Sequence, residues 1–341
     1  MSKSKSTAGA FIALAAMAAV TPALAGPKLE TIKARGQLIC GVNTGLAGFA
    51  LADSTGRWAG IDVDVCKALA AALFGDANKV RYVPLNTQQR FTALQTGEID
   101  ILSRNTTWIL SRDTQQGLNF TATVYYDGQG FMVPKKLGVK SAKELDGAAV
   151  CVQPGTTTEL NLADYFRTNN MKFKPVVIEN LQEVNAAFFS GRCDVLTTDV
   201  SGLAAVLSKD APNKGADHMV LPELISKEPL APAVAQGDEQ WTDIVKWTIF
   251  ALIEAEEYEI TQANVDKLAK DTANPNISRI LGKTPGMGKA IGLTEDWVVR
   301  VVKAVGNYGE MWERNIKPLG LPRGLNNQWN KGGLMYAPPI R

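Results

Sequence analysis

Histidine is nearly missing from this sequence: His218 stands alone among 341 residues. That leaves no material for a His-centred catalytic triad or a multi-histidine metal centre. Cysteine is scarce as well, four residues with no C-x-x-C pair, so zinc-binding and thioredoxin-like readings fall away. There is no large charge excess. The formal net charge of +2 includes Lys3 and Lys5, and the chain beyond them is close to neutral. Such a chain carries no electrostatic footprint for nucleic acid or an anionic membrane. Nor does any run beyond the N-terminus approach the ~18 uncharged apolar residues of a membrane span. What is present, 45% hydrophobic and 21% charged residues, is the composition of a folded soluble protein.

The N-terminus reads as an address. Lys3 and Lys5 precede an apolar stretch from Ala8 to Val20, and Ala23-Leu24-Ala25 fits an A-x-A cleavage site. Residues 1–25 are therefore expected to be a cleavable signal peptide, which leaves 316 residues starting near Gly26. That length allows two domains of ~150 residues, each with its own core. In an oxidising compartment Cys40, Cys66, Cys151 and Cys193 favour two disulfides, with four buried free thiols as the alternative. Four cysteines allow three pairings. The two halves described next hold two each, so Cys40–Cys66 and Cys151–Cys193 is the expected pairing.

The first half alternates strand and helix. Ile39–Val42 reads as a strand, Asp64–Phe74 as a helix closed by Gly75, and Val80–Val83 as a strand. A helix around Arg90–Gln95 and a strand at Ile99–Leu102 follow. The second half repeats the order with Ala148–Val152, Thr157–Phe166, Val176–Ile178, Leu181–Phe189 and Asp194–Thr197. This alternation implies mainly parallel α/β sheets. At an offset of 94, Ala93–Leu102 matches Ala187–Leu196: helix end, glycine stop, then a strand led by aspartate. The chain thus reads as two similar α/β lobes, the other explanation being convergence on a common turn. Beyond Gly237 no third copy occurs. Trp241–Tyr258 and Trp297–Trp312 read as helices of a tail that completes or embraces a lobe.

The repeat points to a site. Ligands of open α/β sheets bind beyond the carboxyl ends of the strands. The residues leaving those ends are Ser103–Thr107 and Thr198-Asp199, with Asn105 and Asp199 in equivalent places. Gln153–Glu159 follows a strand and opens a helix, where backbone N–H groups and hydroxyls can hold an anion. It lacks the lysine of a P-loop, and Thr156 with Glu159 also satisfies a capping box. Arg112 can grip a carboxylate through its fork, or simply pair with Asp113 at the surface. Asp199 can meet an ammonium, or simply cap the next helix. A cation, an anion-binding helix terminus and a carboxylate around one cleft suit a zwitterion.

From about Leu38 to Asp210 these residues resemble the periplasmic amino-acid-binding proteins of ABC importers, solute-binding family 3. Gly56-Arg57-Trp58-Ala59-Gly60-Ile61-Asp62-Val63-Asp64 is similar to one family segment, and Arg90-Phe91-Thr92-Ala93-Leu94 through Gly97 to Asp100 is similar to another. Gln153-Pro154-Gly155-Thr156-Thr157-Thr158-Glu159 and Gly191-Arg192-Cys193-Asp194 match two more. The long tail, the four cysteines and Arg104-Asn105-Thr106-Thr107-Trp108 look most like the general L-amino acid-binding subgroup.

The resemblance implies a periplasmic-binding-protein-like α/β fold, two lobes joined by two hinge crossovers that close on ligand. It puts the crossovers near Tyr126–Gln129 and Ser226–Leu230, with residues 26–127 and 229–341 as lobe 1 and 128–228 as lobe 2. Arg112 then holds the ligand α-carboxylate, Thr107 and Thr157 add backbone or hydroxyl contacts to it, Asp199 binds the α-ammonium, and Asn105 adds a neighbouring contact to that ammonium. The family's stacking aromatic is replaced by Leu46, with Phe49 nearby as a substitute. Thr87 stands where a bulky wall residue is common, and the spacing from Arg112 to Phe120 is two residues longer than usual. Charge-assisted hydrogen bonds contribute ~1.5–3 kcal/mol each, so three or four reach the ~8 kcal/mol of a micromolar binder, while side-chain packing adds only ~1–3 kcal/mol of preference. The expectation is broad L-amino acid binding without catalysis, cofactor or metal, in the periplasm. The expected partners are the ligand and an ABC importer permease, with the chain itself monomeric. The alternatives are a dehydratase-like enzyme on the same fold and a binder of a single amino acid.

Overall fold

The computed structural model describes residues 26–341; the expected signal peptide, residues 1–25, lies outside the described residues. The chain forms two α/β lobes, each built on a five-stranded sheet. The first sheet has the order Val80–Leu85, Leu38–Asn43, Ile101–Leu102, Ala233–Ala235, Leu118–Phe120. The second has the order Lys174–Val177, Ala149–Val152, Val195–Asp199, Gln129–Pro134, His218–Val220. In each, the fourth strand runs antiparallel to both neighbours and the first three are parallel. The exceptions share a cause. Gln129–Pro134 and Ala233–Ala235 are the strands the chain enters directly from the opposite lobe. It arrives at the carboxyl end of the parallel strands and must run against them.

Between the lobes, Tyr125–Asp127 and Glu228–Leu230 pair as a two-stranded antiparallel ribbon, with Tyr126 opposite Pro229. The outer edge of this ribbon is closed by the tail. The Asn326 side chain accepts from the Tyr126 N–H at 2.7 Å and donates to the Tyr126 carbonyl at 3.0 Å, standing in for a third strand. Trp312 stacks on Tyr125 at 5.6 Å. The tail otherwise packs on lobe 1. Glu239–Glu257 buries Trp241, Ile244, Val245, Ile249 and Leu252, and Trp297–Val305 turns Val298, Val301, Val302 and Val305 to the same core. The helix expected over Trp297–Trp312 is in fact two. Gly306 leaves the first helix at φ +74°, and Asn307 starts Tyr308–Asn315 with a capping box to Glu310.

The repeat has a common structural basis. The Asp100 carboxylate accepts from the Ile39 N–H at 2.8 Å, and the Asp194 carboxylate accepts from the Ala149 N–H at 2.8 Å. In return the Asp100 N–H donates to the Ile39 carbonyl and the Asp194 N–H to the Ala149 carbonyl. Each aspartate thus ties the start of its strand to the start of the neighbouring parallel strand, after Gly97 and Gly191 have turned the chain at φ +78° and +82°. The cysteines join Cys40 to Cys66 and Cys151 to Cys193, one bridge within each lobe.

Candidate functional site

The carboxyl ends of both sheets face one cleft. Its inner part is bordered by Thr87, Asn105, Thr107 and Arg112 of lobe 1 and by Thr157 and Asp199 of lobe 2. Its outer part is bordered by Leu46, Asn105, Leu181, Val184, Asn185 and Asp199. The lobes are drawn together over it. Arg90 Nη2 donates to the Gly155 carbonyl at 3.2 Å, Asn86 Nδ2 donates to Glu179 Oε1 at 2.5 Å, and the Thr107 and Thr157 hydroxyls lie 3.2 Å apart.

Lobe 1 supplies the cations. Arg112, on Leu110–Gln115, is buried, and its Nη1 donates to the Thr107 carbonyl at 3.0 Å. Burial pushes its guanidinium down to about 10, opposed by Glu228 and Asp199. Its alternative as a surface partner of Asp113 does not occur, because Asp113 accepts from the Phe120 N–H instead. Two further arginines line the inner cleft, Arg90 and Arg104, both 3% exposed. Asn105 sits at φ +31°, a left-handed conformation that strains a residue with a Cβ. The strain is held by Asp62, whose Oδ2 accepts from the Asn105 N–H at 2.9 Å, and by Asn43 Nδ2, which donates to Asn105 Oδ1 at 3.0 Å. Burial raises Asp62 to about 7.

Lobe 2 supplies hydroxyls and a carboxylate. Thr157 opens the helix Thr157–Thr168, capped by Thr156, whose hydroxyl accepts from the Glu159 N–H at 3.0 Å. The Glu159 side chain reaches back to the Gly155 N–H at 2.9 Å, one residue beyond the reciprocal bond of a full capping box. Asp199 ends the strand Val195–Asp199 and precedes the helix Val200–Lys209, yet its side chain makes no cap bond. That duty falls to hinge residues, since the Val200 N–H donates to the Gly128 carbonyl and the Ser201 N–H to Asp127 Oδ1 at 3.5 Å. The Asp199 carboxyl is left facing the cleft. Burial, with Asp127 and Glu228 nearby, raises it well above the usual carboxylate range. A cation delivered into the cleft would restore its charged form.

Glu228, on the hinge ribbon, was not legible in the sequence as a site residue. It is 1% exposed and accepts four side-chain bonds: Thr107 Oγ1 at 2.5 Å, Thr157 Oγ1 at 2.8 Å, Asn161 Nδ2 at 2.7 Å and Ser226 Oγ at 2.6 Å. One carboxylate therefore knots lobe 1, lobe 2 and the hinge in the closed form. It also commits the protons of both threonine hydroxyls, which are left able only to accept from a ligand. Of the backbone or hydroxyl contacts expected at these two residues, the hydroxyl protons are thus already engaged. Phe49 is a second correction. Its ring lies 5.4 Å from Tyr125 in the lobe 1 core and borders neither part of the cleft, whereas Leu46 and Thr87 do.

Residues 38–264 match the family "Bacterial extracellular solute-binding proteins, family 3". The chain is 60% identical over 97% of its length to the general L-amino acid-binding periplasmic protein AapJ of Rhizobium johnstonii, 98% of which is covered. It is 56% identical over 97% of its length to the glutamate/glutamine/aspartate/asparagine-binding protein BztA of Rhodobacter capsulatus, with 97% of that protein covered. Among solved structures, an ABC transporter periplasmic binding protein from Brucella ovis with glutathione bound superposes with a TM-score of 0.89 at 56% identity, over 92% of this chain and 99% of that one.

Proposed function

The chain belongs to the bacterial extracellular solute-binding proteins of family 3, and from that premise we propose that it is the periplasmic solute-binding component of an ABC importer for L-amino acids. The observation that carries this reading is a buried guanidinium, Arg112, and a buried carboxyl free of any helix-cap bond, Asp199, bordering one cleft from opposite lobes. Arg112 takes the α-carboxylate. Asp199 takes the α-ammonium, and Asn105 and the acceptor lone pairs of Thr107 and Thr157 complete its surroundings. Ligand charges thereby replace the solvation that burial has removed. Because each lobe holds one end of the zwitterion, the closed state gains more from ligand than the open state does, which is what drives closure.

Leu46 and Thr87 offer no aromatic platform, and this supports a broad side-chain range. So do the names of the two relatives, one general and one covering four amino acids. Ligand is released unchanged to a membrane permease. The protein acts as a monomer, exported by cleavage after residue 25. Isothermal titration of the ligand-stripped mature protein against twenty L-amino acids tests the reading. Comparable affinities for acidic, basic and apolar ligands are expected, and one amino acid bound a thousandfold above the rest overturns the broad range.

A further inference from the structure

An aspartate just ahead of a helix ordinarily turns its side chain back to accept from the first free N–H groups. Thr156, Asn180, Asp238 and Asn307 all do so at the starts of their helices, Asp238 accepting from the Trp241 N–H at 2.8 Å. Asp199 holds the same position ahead of Val200–Lys209, is 6% exposed, and makes no such bond. The hinge ribbon stands in for it. Asp127, the last residue of the ribbon strand Tyr125–Asp127, accepts from the Ser201 N–H at 3.5 Å through Oδ1 and from the Ser201 hydroxyl through Oδ2. The Gly128 carbonyl takes the Val200 N–H at 2.8 Å. Asp127 Oδ1 also accepts from the Gly128 N–H at 2.8 Å, which fixes the carboxylate against its own backbone. The first two N–H groups of the helix are thus met from outside it, and a carboxylate still faces its positive end.

A carboxylate bonded to its own helix is drawn away from a ligand, so the cap and the ligand compete for Asp199. We propose that Asp127 is a positioning residue, a surrogate cap that releases Asp199 for the ligand ammonium. The proposal rests on the reading of Asp199 as the ammonium partner and adds the reason that its carboxyl is free. It also gives the hinge a share in recognition. Asp127 lies opposite Glu228 in the ribbon, and Glu228 holds Thr157 and Asn161 in the first turns of the helix Thr157–Thr168. Each hinge strand therefore fixes the start of one lobe 2 helix that borders the cleft. Two properties of Asp127 are separable, its acceptor for the helix and its negative charge near the ammonium. Asparagine keeps the first and removes the second.

The test is calorimetric titration of ligand-stripped wild type, Asp127→Ala, Asp127→Asn and Ser201→Ala. Two ligand pairs are used, leucine with 2-hydroxy-4-methylpentanoate and glutamate with 2-hydroxyglutarate, the second of each pair having no ammonium. Asp127→Ala is expected to weaken the amino acids by about threefold to 30-fold, the worth of one helix cap. The hydroxy acids do not call on the Asp199 charge and should change by less than about twofold, so the preference for the amino acid shrinks. Asp127→Asn should restore most of it, and Ser201→Ala should shrink it by a smaller factor. In the Asp199→Asn background, Asp127→Ala should cost little more, since the group it releases has already lost its charge. Equal loss of both members of a pair would make Asp127 a general support of the hinge and overturn the proposal. Full amino-acid affinity in Asp127→Ala, or an Asp127→Asn protein as weak as Asp127→Ala, would overturn it too. Were Asp127→Ala to misfold, an unchanged preference in Ser201→Ala overturns it, and a reduced one beside a retained preference in Asp127→Asn supports it. Binding of neither amino acid by wild type would instead sink the underlying reading.

Discussion

The two lobes share an architecture and differ in what they bring to the cleft. Their sheets have the same order of directions, and their repeats tie strands together with the same aspartate device, Asp100 in one and Asp194 in the other. At the next equivalent position they part. Asn105 is held in a left-handed turn by Asp62, while Asp199 is extended and uncapped at a helix start. Lobe 1 brings Arg90, Arg104 and Arg112; lobe 2 brings threonines and a carboxylate. A duplicated scaffold with opposite charge on its two faces is a receptor for a molecule that is itself opposite at its two ends.

The sharpest way to break this comparison is to remove the shared anion site of lobe 1. Arg112→Ala is expected to weaken every L-amino acid by roughly 30-fold to 1000-fold or more, the usual cost of truncating one partner of a buried charge pair. Titration with one acidic, one basic and one apolar ligand checks it, and loss of only some of them would contradict the assignment to the α-carboxylate. The lobe 2 counterpart should matter less. Asp199→Asn keeps an acceptor but no charge, and a uniform loss of about tenfold is expected by the same measurement.

The third prediction concerns pH. Burial holds Asp62 at about 7 and Asp127 at about 6, and desolvation by neighbouring structure lifts Glu254 to about 7. The folded protein therefore keeps protons on these groups that the unfolded chain has already released. Stability of the ligand-free protein should fall as pH rises from about 5 to about 8. Asp199 is raised as well, and an ammonium takes the place of its proton, so ligand should raise the melting temperature more at pH 8 than at pH 5. Melting curves at the two pH values, with and without ligand, check both signs. The smallest effect is expected at the hinge edge. Asn326→Ala removes two bonds to the Tyr126 backbone and should cost about 1–3 kcal/mol in denaturant unfolding, with the affinity of the two charged faces changed little.

Much of this was legible in the chain because it depends on short spacings. The Gly-x-x-Asp turn shows at both copies, and the fixed offset brings Asn105 and Asp199 to matching strand ends. Glu228 was not legible, because its four partners come from residues 107, 157, 161 and 226 and meet only when both lobes close on the hinge. Arg90 was visible as part of a motif, but the buried Nε without a partner is a property of the folded cleft. The break at Gly306-Asn307 did carry a signal, a glycine followed by Asn-x-x-Glu, which the apolar periodicity on either side obscured. Phe49 was proposed from nearness in sequence to Leu46, yet Tyr125, far along the chain, offers its ring a better contact.

The most direct test of opposite charge on opposite lobes changes the ligand instead of the protein. Leucinamide lacks the carboxylate charge of leucine and 2-hydroxy-4-methylpentanoate lacks its ammonium charge, each at nearly the same size. Titrated into the ligand-stripped protein, leucine should bind and each derivative should lose roughly 30-fold or more, because one leaves the buried Arg112 guanidinium without its anion and the other leaves the Asp199 carboxyl without the cation that restores its charge. A derivative that binds within about threefold of leucine would show that the corresponding lobe does not read that charge, and the account would fail there.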